Sequence, residues 1–237
     1  MDKLFCEKRR SFLKRALMAG IAAAGSGYAG LFKDAFAMGV KPPVEGVRFV
    51  SGDVQINGKA ASVGLYVKPG DIITTAANAS AHIVVEKNAF LLREKSNVEV
   101  VGDLKKAQKT ASIKGLKINT GKALSVFDQG EFRISSPTAV AGVRGTGIYI
   151  EANPEYTYVC LCYGTADIEA VKYPGVKETL KTTHHEMPRY VFGSASGKPI
   201  LEAPMINHTD DELIMLESLV GRVPPFNRDS YSYSHSY

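Results

Sequence analysis

The sequence predicts an all-β domain closed by one short helix near its C-terminus, and three observations carry the prediction. From Val44 onward, turn signals recur every ten or so residues, with apolar runs between them that lack a helical period. Glycine and proline are abundant, at 22 and 11 residues, and tryptophan is absent, which suits short segments joined by tight turns. The one stretch with helix-start chemistry, Thr209 to Glu212, comes late. At 237 residues, 45% of them hydrophobic, the chain is long enough to bury one substantial core.

Residues 1–37 read as an export segment. Lys8-Arg9-Arg10-Ser11-Phe12-Leu13-Lys14 resembles the twin-arginine signature, with Arg9, Arg10, Phe12 and Leu13 as its key positions. Ala16 to Gly30 is apolar but too short and too weakly hydrophobic for a membrane span, and Ala35-Phe36-Ala37 supplies small residues for cleavage before Met38. The resemblance implies the twin-arginine translocation machinery as a partner and a periplasmic destination. It also implies a passenger folded before crossing, a class whose members often carry a cofactor. The alternative is an uncleaved anchor, since Lys33 and Asp34 separate the apolar stretch from the cleavage site, and only then is the membrane a partner.

The formal charge of +5 belongs to this segment rather than to the fold. Seven of the 29 basic and three of the 24 acidic residues fall within 1–37, leaving 22 and 21 in the remainder, a net of +1. Nucleic-acid binding needs a clustered basic surface and is excluded on this ground.

Within the predicted β domain, residues 38–172, Asn57-Gly58 signals a two-residue type I′ hairpin. Pro69-Gly70-Asp71 marks another turn, followed by strands at Ile72 to Thr75, Ala81 to Val85 and Phe90 to Leu92. The lysine-rich Asp103 to Lys117 reads as an exposed excursion with solvated charge, an anion site being the alternative. Strands resume at Ala123 to Phe127 and Phe132 to Ser135. In Ala141-Gly142-Val143-Arg144-Gly145-Thr146, read as a turn entering a strand, the glycines permit special backbone angles and Arg144 is expected to staple neighbouring carbonyls from a buried or half-buried position.

These pieces resemble the FecR domain family, in order over roughly residues 44–171. They are Val67 to Thr74, Ser80-Ala81, Gly121 with Ala123 to Val126, Ser136 to Ala139, the structural motif Gly142, Arg144, Gly145 and Thr146, and the strand Thr157 to Gly164. The resemblance implies a periplasmic, solenoid-like fold of short coiled strands, with a β-sandwich as the alternative, and a role in relaying receptor state to a sigma factor. The family's regulators grip that factor with a sizeable cytoplasmic region, whereas eight residues precede Arg9 here. So short a segment falls far below the roughly 800 Å² per partner of a stable interface, so the domain is expected without the anti-sigma function. The expected role is non-catalytic binding or scaffolding with another envelope protein, within envelope signalling.

The second function class rests on Cys160 and Cys162. On a strand they share one face with Cα atoms ~6.5–7 Å apart, at or beyond the reach of a disulfide. Val159, Leu161 and Tyr163 are then expected on the other face. The pair is either packed as small apolar residues in a dry core, or bound to a metal, or paired to another chain. Metal ligands are available beyond the domain, within an extension over 173–222: His184 and His185 in a loop, and His208 ahead of the helix. Thiolates with imidazoles suit zinc, copper or iron, and Met187 is a candidate axial ligand. The spacing matches no established metal motif, so the identity of the metal stays open. Thr209 and Glu212 have capping-box spacing for a helix from Asp210 to about Val220, with Leu213, Leu216 and Val220 as its apolar stripe. Residues 223–237 are expected to be a disordered tail. No phosphate loop, nucleophile elbow or carboxylate pair is present, so no enzymatic activity is expected.

Overall fold

A computed structural model describes residues 44–105, 110–194 and 196–226. The export positions Arg9, Arg10, Phe12 and Leu13, and the tail beyond Phe226, lie outside the described residues. Fourteen strands form one open sheet: β1 (Gly46–Ser51), β2 (Val54–Ile56), β3 (Lys59–Ala60), β4 (Ile72–Thr75), β5 (Ser80–Val85), β6 (Asn88–Leu92), β7 (Asn97–Lys105), β8 (Thr110–Val126), β9 (Phe132–Ser135), β10 (Ala139–Ala152), β11 (Tyr156–Ala170), β12 (Lys177–Thr182), β13 (Arg189–Phe192) and β14 (Ile200–Glu202). One helix, α1 (Asp210–Leu219), follows them. Among the described residues the fold is therefore all-β with a single short helix. No described helix is long and apolar enough to cross a membrane.

The main path runs β14-β13-β11-β10-β9-β8-β7-β4-β2-β3, with β1, β5 and β6 branching from β8, and β12 from β11. Pairing is antiparallel except between β8 and β9. At that parallel contact Gly115 has φ +147°, and a Cβ there would lie 1.7 Å from the Arg133 carbonyl oxygen, so only glycine fits. The hairpin at Asn57-Gly58 forms as its sequence predicts, with both residues at positive φ between β2 and β3. The segment Asp103 to Lys117 departs from expectation. It builds the arms of the β7–β8 hairpin, and Ile113 and Leu116 are 3% and 1% exposed because alternate positions face the core.

The predicted turn around Arg144 is instead an irregularity inside β10. Residues 140–143 pair with β9, residues 147–152 pair with β8, and the register with β11 shifts between Arg144 and Gly147. Gly145, at φ +56°, sits where the strand exchanges one neighbour for the other. Arg144 is not a buried staple: its side chain is 68% exposed and pairs with an exposed Glu131 at 2.9 Å, because the bulge turns it outward. Gly142 has no left-handed φ and no crowding neighbour, while Thr146 is fully buried.

Both faces of the sheet are covered. One carries the larger core, including Val159, Leu161, Ile148 and Ile150. The other carries Val84, Leu91, Leu124, Val126, Tyr149, Tyr158, Cys160 and Cys162, roofed by Leu213, Leu216 and Val220 of α1 and its C-cap. Strand alternation separates Val159 and Leu161 from the two cysteines as expected. Tyr163 joins the cysteines' face instead, because the register slips there: Gly147 pairs with Tyr163, yet the next residue, Ile148, pairs with Leu161. Helix α1 starts at the expected cap, with Thr209 accepting from the Glu212 backbone and Glu212 returning to the Thr209 backbone. Ahead of it, β12, β13 and β14 extend the sheet beyond residue 172 and hold the loop of His184 and His185 against β11.

Candidate metal centre

Cys160, Cys162, His185 and His208 converge. One ligand atom from each lies within 4.8 Å of all the others, and the residues are 0%, 0%, 6% and 5% exposed. Three segments bring them together. Strand β11 supplies the two sulfurs on one face. The link between β12 and β13 supplies His185, held at φ +61° with its backbone N–H donating to the Cys162 carbonyl at 3.1 Å. The approach to α1 supplies His208. That approach is pinned by Tyr158, whose hydroxyl donates to the Pro204 carbonyl at 2.9 Å and accepts from the Ile206 N–H at 3.1 Å. Asn207 donates to Glu151 at 2.7 Å, and the His208 ring stacks on Tyr149 at 4.5 Å between centroids.

Both imidazoles are oriented by partners outside the cluster. His208 Nδ1 donates to the Ile206 carbonyl at 2.7 Å, leaving Nε2 as the inward atom. His185 Nε2 donates to Asp210 Oδ1 at 3.1 Å, leaving Nδ1 inward. The two inward nitrogens lie 3.1 Å apart, with Cys160 Sγ 3.5 Å from His185 Nδ1, and when both rings are neutral they turn lone pairs toward the sulfurs as metal ligands do. Either a shared proton or a metal ion accommodates so close an approach. For tetrahedral zinc, bonds of about 2.3 Å to sulfur and 2.0–2.1 Å to nitrogen set ligand atoms roughly 3.3–3.8 Å apart; the 3.5 Å sulfur–nitrogen spacing falls in that range and the 3.1 Å nitrogen pair is slightly closer.

The electrostatics agree with two sulfurs sharing one charge. The hydrogen bond from Cys162, with those of His185 and His208, holds the Cys160 thiol far below its usual value despite its burial. Burial pushes the Cys162 thiol well up, and the neighbouring Cys160 adds to this. Burial opposes charge on His185, but the Cys160 sulfur and the Asp210 carboxylate outweigh it and raise that imidazole. A divalent cation removes the conflict, since two thiolates and two neutral imidazoles leave the dry site uncharged.

His184 does not join the four. Its Nε2 lies 3.0 Å from both oxygens of Asp210, and its ring stacks on Phe226 at 4.5 Å. It belongs to a neighbouring group with His185 and Asp210, behind the ligand shell. Met187 is excluded as an axial ligand because it packs against the larger core on the opposite face of the sheet. In the sequence Asp210 marks only the start of the expected helix. Its contact with two imidazoles depends on where the loop folds, and no local signal announces it.

A cleft of about 610 Å³ lies beside the site, walled by Phe127, Tyr163, His184, Glu217, Arg222 and Phe226 among others. None of the four converging residues lines it.

Comparison with protein-family models returns no match, and comparison with curated proteins returns none. Among solved structures, two crystal structures of a "putative anti-sigma factor" from Parabacteroides distasonis, at 2.50 and 1.65 Å resolution, are similar to this chain. Each has a TM-score of 0.44 and 12% sequence identity over 56% of this chain. The similarity spans 58% of that protein's chain.

Proposed function

We propose that this chain is an exported, non-catalytic metalloprotein in which Cys160, Cys162, His185 and His208 hold one zinc ion inside a FecR-like β domain. The observation that carries the reading is the convergence of two thiols and two imidazole nitrogens, all buried, within 4.8 Å of one another. Zinc is favoured over copper or iron by a complete set of four nitrogen and sulfur donors, all of them buried. Such a closed shell suits a structural ion. The twin-arginine resemblance supports loading in the cytoplasm before export to the periplasm. The FecR resemblance supports a binding or scaffolding role beside another envelope protein.

Elemental analysis of natively exported protein tests the reading. One zinc per chain is expected, lost in the Cys160→Ser, Cys162→Ser double variant. Cobalt substitution should give thiolate charge-transfer and tetrahedral d–d absorption. Metal-free wild-type protein that takes up neither zinc nor cobalt leaves the cysteines as core residues and overturns the proposal.

A further inference from the structure

We propose that the ion controls whether the C-terminal segment, residues 203–226, stays docked on the sheet; the inference rests on the metal reading above. The ligands divide between two bodies. Cys160 and Cys162 lie on β11, paired on both sides within the sheet, whereas His208 lies in the irregular approach to α1. His185 lies in the link between them in sequence and donates to Asp210 at the first turn of the helix. One ion therefore closes two loops at once, 162–185 and 185–208, and clips of this kind restrict the open chain more than the closed one.

Apart from the ion, the segment is held by the bonds of its approach to Tyr158 and Glu151, by the buried Glu217 carboxylate against Tyr163 and Arg222, and by the apolar stripe of α1. A ten-residue helix is too short to be stable alone, and its buried stripe is Leu213, Leu216 and Val220. The Arg93–Glu212 pair at 2.6 Å is partly solvated, with side chains 28% and 26% exposed. The ion adds a tie that joins β11, the link after β12 and the approach to α1 at one buried point; without it His208 keeps its bond to its own Ile206 carbonyl and its contacts with Tyr149 and His185. Occupancy thus favours the closed arrangement, and vacancy weakens it. The open form uncovers an apolar sheet face made by Val84, Leu91, Leu124, Val126 and Tyr149.

Hydrogen exchange on the full zinc-loaded chain, before and after removal of zinc by a chelator, tests this. Peptides within 203–226 should exchange at least tenfold faster after removal. Those from β10 and β11 should change little, a dye for apolar surfaces should bind, and added zinc should reverse all three. Zinc that is present and removable, with unchanged exchange at 203–226, overturns this inference alone. A chain that binds no zinc overturns the metal reading with it.

Discussion

Asp210 offers the most direct quantitative test of the site, because it touches no metal and yet orients a ligand. Its Oδ1 accepts from His185 Nε2 at 3.1 Å, and both its oxygens lie 3.0 Å from His184 Nε2. Outer partners of this kind change metal affinity by about 10–100-fold, or about 1.4–2.7 kcal/mol. Asp210→Asn keeps an acceptor for the His185 N–H but removes the charge that makes the imidazole a stronger donor, so about tenfold weaker binding is expected. Asp210→Ala removes both and should approach one hundredfold. The carboxylate also sits in the first turn of α1, where an acid stabilises a helix by about 0.3–1 kcal/mol. That contribution is lost from the free and the loaded protein alike, so it cancels from the binding constant. Competition against a chromogenic chelator at fixed pH measures the affinities. Both variants within about twofold of wild type, with Cys160→Ser abolishing binding, would refute the outer-shell role.

Two further predictions concern the frame around the site. At φ +56°, with the Gln129 side chain 2.7 Å from the place of a Cβ, Gly145→Ala should destabilise by about 1–2 kcal/mol in urea titration, whereas Arg144→Ala should change stability by less than about 1 kcal/mol, because its ion pair is exposed. His82, stacked on Phe49, has its pKa lowered by burial, with Glu212 opposing weakly. Below its unfolded value near 6.5 the unfolded chain therefore takes up a proton that the folded chain refuses, and stability falls as pH drops through that window. In His82→Gln the slope of stability against pH between about 6.5 and 5 should be shallower than in wild type; equal slopes would refute the assignment.

Legibility from sequence followed the range of the interaction. The Asn57-Gly58 hairpin and the Thr209–Glu212 cap depend on residues within one turn of each other, and both form as read. The shared face of Cys160 and Cys162 follows from a two-residue period and survives in the structure. Tyr163, one residue later, does not, because a register slip opposite Gly147 moves it to the other side, and slips arise from pairing with a distant strand. Arg144 fails for the same reason: its direction is set where β10 exchanges β9 for β8. Of the three histidines flagged as ligands, two enter the cluster. His184 and His185 are adjacent and chemically identical in sequence, and the left-handed backbone of His185, together with its bond to the Cys162 carbonyl, selects the one that points inward.

Distances alone would also allow a thiol nucleophile. Cys160 Sγ, His185 Nδ1 and Asp210 stand in line at 3.5 and 3.1 Å, an order that could activate a sulfur for attack. Three features speak for a ligand set instead. A nucleophile must reach a substrate, and Cys160 is 0% exposed while the neighbouring cleft ends at Tyr163 and His184 without touching it. A general base needs one proton donor, yet His185 Nδ1 lies 3.1 Å from His208 Nε2 as well as beside the sulfur. Cys162, fully buried on the same face, has no part in thiol chemistry that one sulfur performs, but it supplies the second negative charge that balances a divalent ion. The additional thiol and the additional imidazole, redundant for a nucleophile, are both required for a closed tetrahedron.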